Sequence, residues 1–112
     1  MTSMTTVQIA DMVESFGIPF AYYQFEKDTA RPCPFVCFYY SDSNDVLADN
    51  ENYAKVKNLV IELYTDQKEF ELEETIESIL NQNEIVYDHY ESYIDSEKML
   101  MQTYESEVYI NG

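Results

Sequence analysis

The sequence predicts one α+β domain, residues 1–112, built as a mostly antiparallel sheet of about five strands with two helices packed on it. Three observations predict this fold. Two segments place apolar residues at helical spacing. Five further segments are rich in aromatic and β-branched residues, which favour strands. The segments follow one another in the order α-β-β-β-α-β-β. In this order, strands that are consecutive in sequence can pair as hairpins, and the helices lie outside these runs of strands.

The first helix is predicted from its two ends and its apolar stripe. Thr5 and Gln8 have the spacing of a capping box. Gly17 stands where a left-handed C-terminal cap is expected, and Pro19 prevents continuation. We expect residues 1–4 to be frayed. The apolar stripe consists of Ile9, Met12, Val13 and Phe16.

Three aromatic and β-branched segments then predict strands at residues 19–26, 35–40 and 53–64. The polar segment 27–34 predicts a loop. The segment 41–52 is rich in Ser, Asp and Asn, which favour turns. It is long for a hairpin loop, and long loops commonly carry function.

A second helix is predicted to begin at Asp66, which suits an N-cap, and to end at 81–83. Its acidic residues should face water, and the early ones complement the positive helix N-terminus. The buried stripe consists of Leu72, Ile76, Ile79 and Leu80. The residues expected to face water are Glu69, Glu71, Glu73, Glu74 and Glu77.

Two long strands, 85–94 and 99–110, are predicted to follow, joined by the turn 95–98. So small a domain cannot bury all of its strand tyrosines, and some of the following must line a surface: Tyr22, Tyr39, Tyr53, Tyr64, Tyr87, Tyr90, Tyr93, Tyr104 and Tyr109. Tyrosine suits half-buried strands and is also enriched at protein interfaces, and both interpretations stay open.

The chain is strongly acidic, with 6 Lys and Arg against 22 Asp and Glu and a net charge of −16. Free nucleic acid and anionic membranes are poor partners for such a chain. No apolar run is long enough to span a bilayer, and no signal-peptide pattern is present, so we expect an intracellular protein. Seventeen aromatic residues argue against disorder.

Residues with catalytic or metal-binding chemistry are sparse. Cys33 and Cys37 are predicted to be free, buried or half-buried thiols, since their spacing at the start of a strand exceeds disulfide reach. His89 is the only histidine, has no nucleophile near it in sequence, and is expected to be a half-exposed strand residue. The 41–52 loop contains three acids, Asp42, Asp45 and Asp49. Either they form a loose cation site, or they belong to a loop that is only exposed to solvent. We therefore predict no enzyme activity, cofactor or metal site.

The order of the segments resembles that of a known family. The resemblance is carried by five stretches: Gly17–Phe25, Arg31–Tyr40, Ala48–Asn50, Ile61–Thr65 and Tyr104–Val108. The sequence is similar to the tail terminator, or tail-completion, proteins of long-tailed, non-contractile bacteriophages and prophages of Gram-positive hosts. The resemblance covers nearly the whole chain.

The resemblance implies a virion structural protein that forms a homo-oligomeric ring, typically a hexamer of about 79 kDa for a 13.2 kDa chain. The ring would end polymerisation of the tail-tube protein and offer a surface to a head-completion protein. It implies assembly in the host cytoplasm and a final location in the virion tail. DNA would pass through the lumen without binding. The acidic charge would either line that lumen or only keep the free subunit soluble.

The 41–52 loop and its neighbour Tyr53 are the predicted protein–protein interface, because long loops on a rigid sheet often bind partners. The predicted interface residues are Asp42, Asn44, Asp45, Val46, Leu47, Asp49, Asn50 and Tyr53. Two alternatives remain. One is an acidic DNA mimic that inhibits a host nucleic-acid-binding protein, and the other is a different head–tail connector of the virion.

Overall fold

The computed structural model describes residues 3–23, 32–41 and 55–111. These residues form two helices and a curled sheet of six strands, an α+β fold. The elements in chain order are β1 (Ser3–Met4), α1 (Thr6–Glu14), β2 (Phe20–Tyr22), β3 (Phe35–Ser41), β4 (Lys55–Thr65), α2 (Phe70–Gln82), β5 (Asp88–Ile94) and β6 (Met99–Ile110).

The sheet is mixed, so the prediction of a mostly antiparallel sheet was wrong. Its order is β1-β6-β4-β3-β2, and β5 pairs with the same side of β6 as β1. The pairs β3–β4, β4–β6 and β5–β6 are antiparallel, whereas β1–β6 and β2–β3 are parallel. The two parallel pairs are short and lie at the ends of the sheet. Residue patterns predict strands but do not encode their direction, which depends on how the connecting segments cross the sheet.

Both helices cover the same face of the sheet. Directly paired residues of neighbouring strands point to one face, as Val36, Leu63 and Gln102 do across β3, β4 and β6. The apolar residues of this face form one cluster with the buried stripes of both helices. That cluster includes Ile9, Val13, Phe38, Leu59, Ile61, Ile76, Leu80 and Val108. The opposite face carries no helix among the described residues, and we call it the helix-free face.

Helix α1 follows its sequence signals closely. The Thr5 hydroxyl accepts from the Gln8 backbone, and the Thr5 backbone donates to the Gln8 side chain, which completes the capping box. Gly17 has a φ of 85°, a conformation that costs an L-residue steric energy. The helix ends at Glu14 with Ser15 as its C-cap, and Gly17 then turns the chain toward Pro19.

Helix α2 begins later than predicted. Glu69 takes the N-cap position, and its side chain makes no capping hydrogen bond. Asp66 lies before the helix, beside the Cys33 thiol, so its carboxylate cannot cap the helix. The C-terminal end at Asn83 is as predicted, since its side-chain amide donates to the carbonyl of Ile79.

Three other boundaries differ from the expectations. Ser3 and Met4 are paired with β6 and Met4 is buried, so they are not frayed. Cys33 precedes β3 rather than lying in it. The strand predicted from residue 85 begins at Asp88, because Ile85 turns into the core at the end of α2. No helix among the described ranges is long and apolar enough to cross a membrane.

Candidate functional site: a polar cluster and an aromatic rim

The eight predicted interface residues lie outside the described residues, and they include the three acids considered as a loose cation site. Two other features have defined geometry. One is a polar cluster between α2 and β5, and the other is a set of exposed aromatic side chains at the two edges of the sheet.

The polar cluster forms where α2 crosses the edge of the sheet. Glu73 and Glu77 lie one helical turn apart and therefore point to the same side of α2. His89 of β5 lies opposite them. One oxygen of each carboxylate and one ring nitrogen of His89 lie within 4.8 Å of one another. Carboxylate and imidazole groups at this separation can share a proton or hold a divalent cation.

A chain of hydrogen bonds fixes how His89 is presented. Lys68 Nζ donates to Glu91 Oε1 at 2.6 Å, and Gln102 Nε2 donates to the same oxygen at 2.8 Å. Gln102 must therefore turn its carbonyl oxygen toward His89, whose Nε2 lies 2.6 Å away. A carbonyl oxygen only accepts, so Nε2 carries the hydrogen. In the neutral ring, Nδ1 then keeps a free lone pair, 3.7 Å from Glu77 Oε2.

Glu73 is the buried member of the cluster, with 6% of its surface exposed. Its Oε1 accepts from Lys68 at 2.9 Å. Its Oε2 is buried and has no hydrogen-bond partner among the described residues. A buried polar atom without a partner is unfavourable and marks a position that a ligand can fill. The prediction that Glu73 faces water was therefore wrong.

Tyr104 forms the floor of the cluster. It is fully buried, its ring stacks on His89 at a centroid distance of 4.5 Å, and its hydroxyl donates to Glu77 Oε2 at 2.9 Å. Burial raises the pKa of Tyr104, and the nearby Glu77 raises it further. The hydroxyl thus stays a donor that orients Glu77. The hydrogen bond from Lys68 and that from Gln102 lower the pKa of Glu91, which keeps it an acceptor.

The helix-free face has a polar centre among aromatic side chains. Glu62 accepts from the hydroxyls of Tyr39 at 3.2 Å and Tyr64 at 2.7 Å. Burial raises the pKa of Tyr39 to about 12, with a further contribution from Glu62. Tyr23 stacks on Tyr39 at a centroid distance of 5.5 Å. The aromatic side chains of the helix-free face therefore cover part of that face themselves.

Exposed aromatic side chains mark both edges of the sheet, and we call them the aromatic rim. At one edge, Tyr90 and Tyr93 of β5 are 54% and 55% exposed. At the other edge, Tyr22 and Tyr23 at the end of β2 are 50% and 59% exposed. The expectation that some tyrosines stay at the surface is thus confirmed for Tyr22, Tyr90 and Tyr93. Exposed aromatic side chains are enriched at protein interfaces.

Neither cysteine forms a disulfide bond, as predicted. Cys37 is buried, and Cys33 is half-buried with its sulfur 3.4 Å from that of Met99. Burial raises the pKa of the Cys33 thiol to about 11, and Asp66 adds to the shift. Such a thiol is unreactive at neutral pH.

The polar cluster was missed at the level of sequence because its members are spread over three elements. The usable signals were local: the spacing of Glu73 and Glu77, and a lone histidine in an acidic strand. Neither reveals that β5 passes under α2. His89 does lie in a strand, with 30% of its side chain exposed, in line with the expectation of a half-exposed strand residue.

No protein-family model matches the sequence, and a search of curated proteins also finds no match. The geometry of the polar cluster and of the aromatic rim therefore carries the functional interpretation, together with the resemblance described above.

Proposed function

We propose that this chain is a non-enzymatic structural subunit of a bacteriophage or prophage tail. It assembles into a ring at the head-proximal end of the tail tube, ends tube polymerisation and joins the tail to a head-completion protein. One observation carries the proposal beyond the sequence resemblance: the sheet has two unlike edges, and each presents exposed aromatic side chains.

The two edges offer backbone groups as well as aromatic surface. Among the described strands, none pairs with the outer side of β5 or of β2. β5 is seven residues long, and six of them are exposed. An exposed strand of this length is a template for pairing with another chain. Association in the virion would give these groups their partners.

Unlike edges favour a ring over a simple dimer. When one edge of a subunit binds the other edge of the next, the contact is head-to-tail and repeats around a circle if the rotation closes. Six copies of the chain would make the hexamer implied by the resemblance. The 41–52 loop and Tyr53 then supply contacts with tail-tube or head-completion protein, a proposal whose residues after Ser41 lie outside the described ranges.

The charge is compatible with a ring through which DNA passes. A net charge of −16 per subunit would repel phosphates from a lumen rather than bind them. Acidity that serves only solubility would place the carboxylates on the outer surface instead. Both arrangements are consistent with the role at the tail end.

The direct test mixes the purified protein with its tail-tube protein and images the tubes by negative-stain electron microscopy. We expect shorter tubes that carry a ring of density at one end. Tubes of unchanged length without terminal density would refute the proposal. Binding to basic host nucleic-acid-binding proteins in that case would support the DNA-mimic alternative.

A variant at the edge strand β5 tests whether the aromatic rim forms the contact between subunits of the ring. Tyr90→Lys places a charge on β5, where it should block edge pairing and abolish the terminal ring. Val7→Lys is the matched control, because Val7 is 67% exposed on α1 and gains the same charge. Rings that form equally well with Tyr90→Lys would place the subunit contact elsewhere than at β5.

A further inference from the structure

The polar cluster has a composition and geometry that the proposed structural role does not require. We propose that Glu73, Glu77 and His89 form a binding site for a divalent first-row transition metal ion, with Zn²⁺ as the best-fitting ion. Glu73 Oε2, a Glu77 oxygen and His89 Nδ1 would be the three protein ligands, and a water or partner group would complete the coordination.

The donor set fits such an ion. Zn²⁺ is bound in proteins by His nitrogen and carboxylate oxygen at about 2.0–2.2 Å, so tetrahedral ligand atoms lie about 3.3 Å apart. The 3.7 Å between His89 Nδ1 and Glu77 Oε2 is close to this value. One ligand atom from each of the three residues lies within 4.8 Å of the others, so side-chain ends need to move by about 1 Å to close on an ion. An imidazole ligand favours zinc-like ions over Mg²⁺ or Ca²⁺.

The unpartnered oxygen of Glu73 is the independent sign of a ligand. This side chain is more than nine-tenths buried, and Lys68 occupies only its Oε1. Its Oε2 has no partner among the described residues. A bound cation would satisfy it. Burying a carboxylate oxygen without a partner is otherwise costly.

The hydrogen bonds that His89 and Glu77 make to neighbouring residues match those of metal-binding residues. A metal-ligating histidine usually donates its other ring N–H to an oxygen, which fixes the tautomer and the ring orientation. Gln102 plays that part for His89, and Glu91 and Lys68 hold Gln102 in place. Tyr104 likewise donates to the carboxylate of Glu77. Nδ1 is thus held toward the carboxylates with its lone pair free.

The local charge also favours a cation. The cluster contains three carboxylates, those of Glu73, Glu77 and Glu91, and one ammonium group, that of Lys68, which binds Glu73 and Glu91. With His89 neutral, the cluster has two net negative charges, which a divalent ion neutralises. The ion would link α2 to β5, the same strand that carries Tyr90 and Tyr93, and would stiffen that edge of the sheet.

The first experiment is thermal unfolding of the full chain in increasing ZnCl2. We expect saturating Zn²⁺ to raise Tm by about 5 °C or more. Glu77→Gln and His89→Gln should lose the shift and weaken Zn²⁺ binding at least about tenfold in calorimetry. Glu74→Gln, an exposed carboxylate on the same helix, should respond like the unmodified chain. Equal responses in all four proteins, or none in the unmodified chain, would overturn the proposal.

A second measurement needs no variant, because His89 is the only histidine. In ¹H–¹⁵N spectra of its ring, Zn²⁺ should shift the Nδ1 signal while Nε2 keeps its hydrogen. A shift at Nε2, or no shift at either nitrogen, would contradict the assignment. Co²⁺ as a probe separates this site from Cys33: an absorption spectrum without a thiolate-to-metal band supports it, whereas a strong thiolate band places the ion at the cysteine.

Discussion

At the scale of single residues, Cys33 shows how neighbouring groups determine the reactivity of a thiol. Its thiol sits between Met99 and Asp66, and burial followed by the Asp66 carboxylate raises its pKa from 9.0 to about 11. Both effects disfavour the thiolate, which is the nucleophilic form. Asp66 therefore has a local role other than the helix cap that its residue type favours.

We predict that Cys33 is alkylated by iodoacetamide about a hundredfold more slowly at pH 8 than an ordinary cysteine, because a pKa two units higher leaves that much less thiolate. The rate should rise with pH up to about 11. Asp66→Asn removes a cause of the raised pKa and should accelerate alkylation several-fold. Peptide mapping by mass spectrometry distinguishes Cys33 from the buried Cys37.

Asp11→Asn is the matched control for this prediction, since Asp11 is exposed on α1 and the substitution removes the same charge. It should leave the alkylation rate unchanged. Equal acceleration by both substitutions would point to net charge rather than to the contact between Asp66 and Cys33.

At the scale of elements, Lys68 links α2 to β5. Its ammonium donates to Glu73 on the helix and to Glu91 on the strand. Removing a cation from a buried carboxylate is more damaging than removing the whole pair, because the remaining charge is left uncompensated. Lys68 is thus a main determinant of how α2 sits on the sheet.

We predict that Lys68→Met lowers the free energy of unfolding by about 1–3 kcal/mol in metal-free buffer, the range for leaving a buried polar group unsatisfied. The double variant Lys68→Met/Glu73→Gln should recover part of this loss, because the buried charge is gone. Urea unfolding followed by circular dichroism measures both. Lys98→Met, in the exposed turn between β5 and β6, is the charge-matched control and should change stability little.

If the double variant is as unstable as the sum of the two single variants, Lys68 and Glu73 do not interact in solution, and the arrangement of the polar cluster is different from the one described. A stability loss confined to Lys68→Met and relieved by Glu73→Gln would establish the contact.

At the scale of the whole molecule, charge opposes assembly. Each subunit carries −16, so bringing copies together concentrates negative charge, and the aromatic rim must outweigh that repulsion. Salt screens charges over a Debye length of about 10 Å at 0.1 M and about 3 Å at 1 M. Raising the ionic strength should therefore weaken the repulsion between subunits and favour the proposed ring.

We predict that the isolated protein is monomeric at low ionic strength and shifts toward a ring-sized species as NaCl is raised toward 1 M. Light scattering coupled to size-exclusion chromatography measures the mass. Tyr90→Lys should remain monomeric at all salt concentrations, whereas Val7→Lys should follow the unmodified chain. Assembly that weakens as salt rises would show that opposite charges, and not the aromatic rim, hold the copies together.

The features that sequence alone determined are local ones. The capping box of Thr5 and Gln8, the turn at Gly17 and the apolar stripes of both helices depend on residues within one or two turns of each other, so their spacing is sufficient to predict them. The β6 bounds also agree with the sequence, since local composition marks both ends of the strand.

Tertiary structure alone decided the strand directions and the polar cluster. The parallel pairing of β1 with β6 and of β2 with β3 depends on the paths of the connecting segments, which residue types do not specify. Glu73 resembles the other acids of its helix in sequence, and it is buried only in the packed structure, where it accepts from Lys68, which also donates to Glu91 of β5. Residues far apart in the chain acquire their chemistry from contacts that form only when the sheet and helix pack.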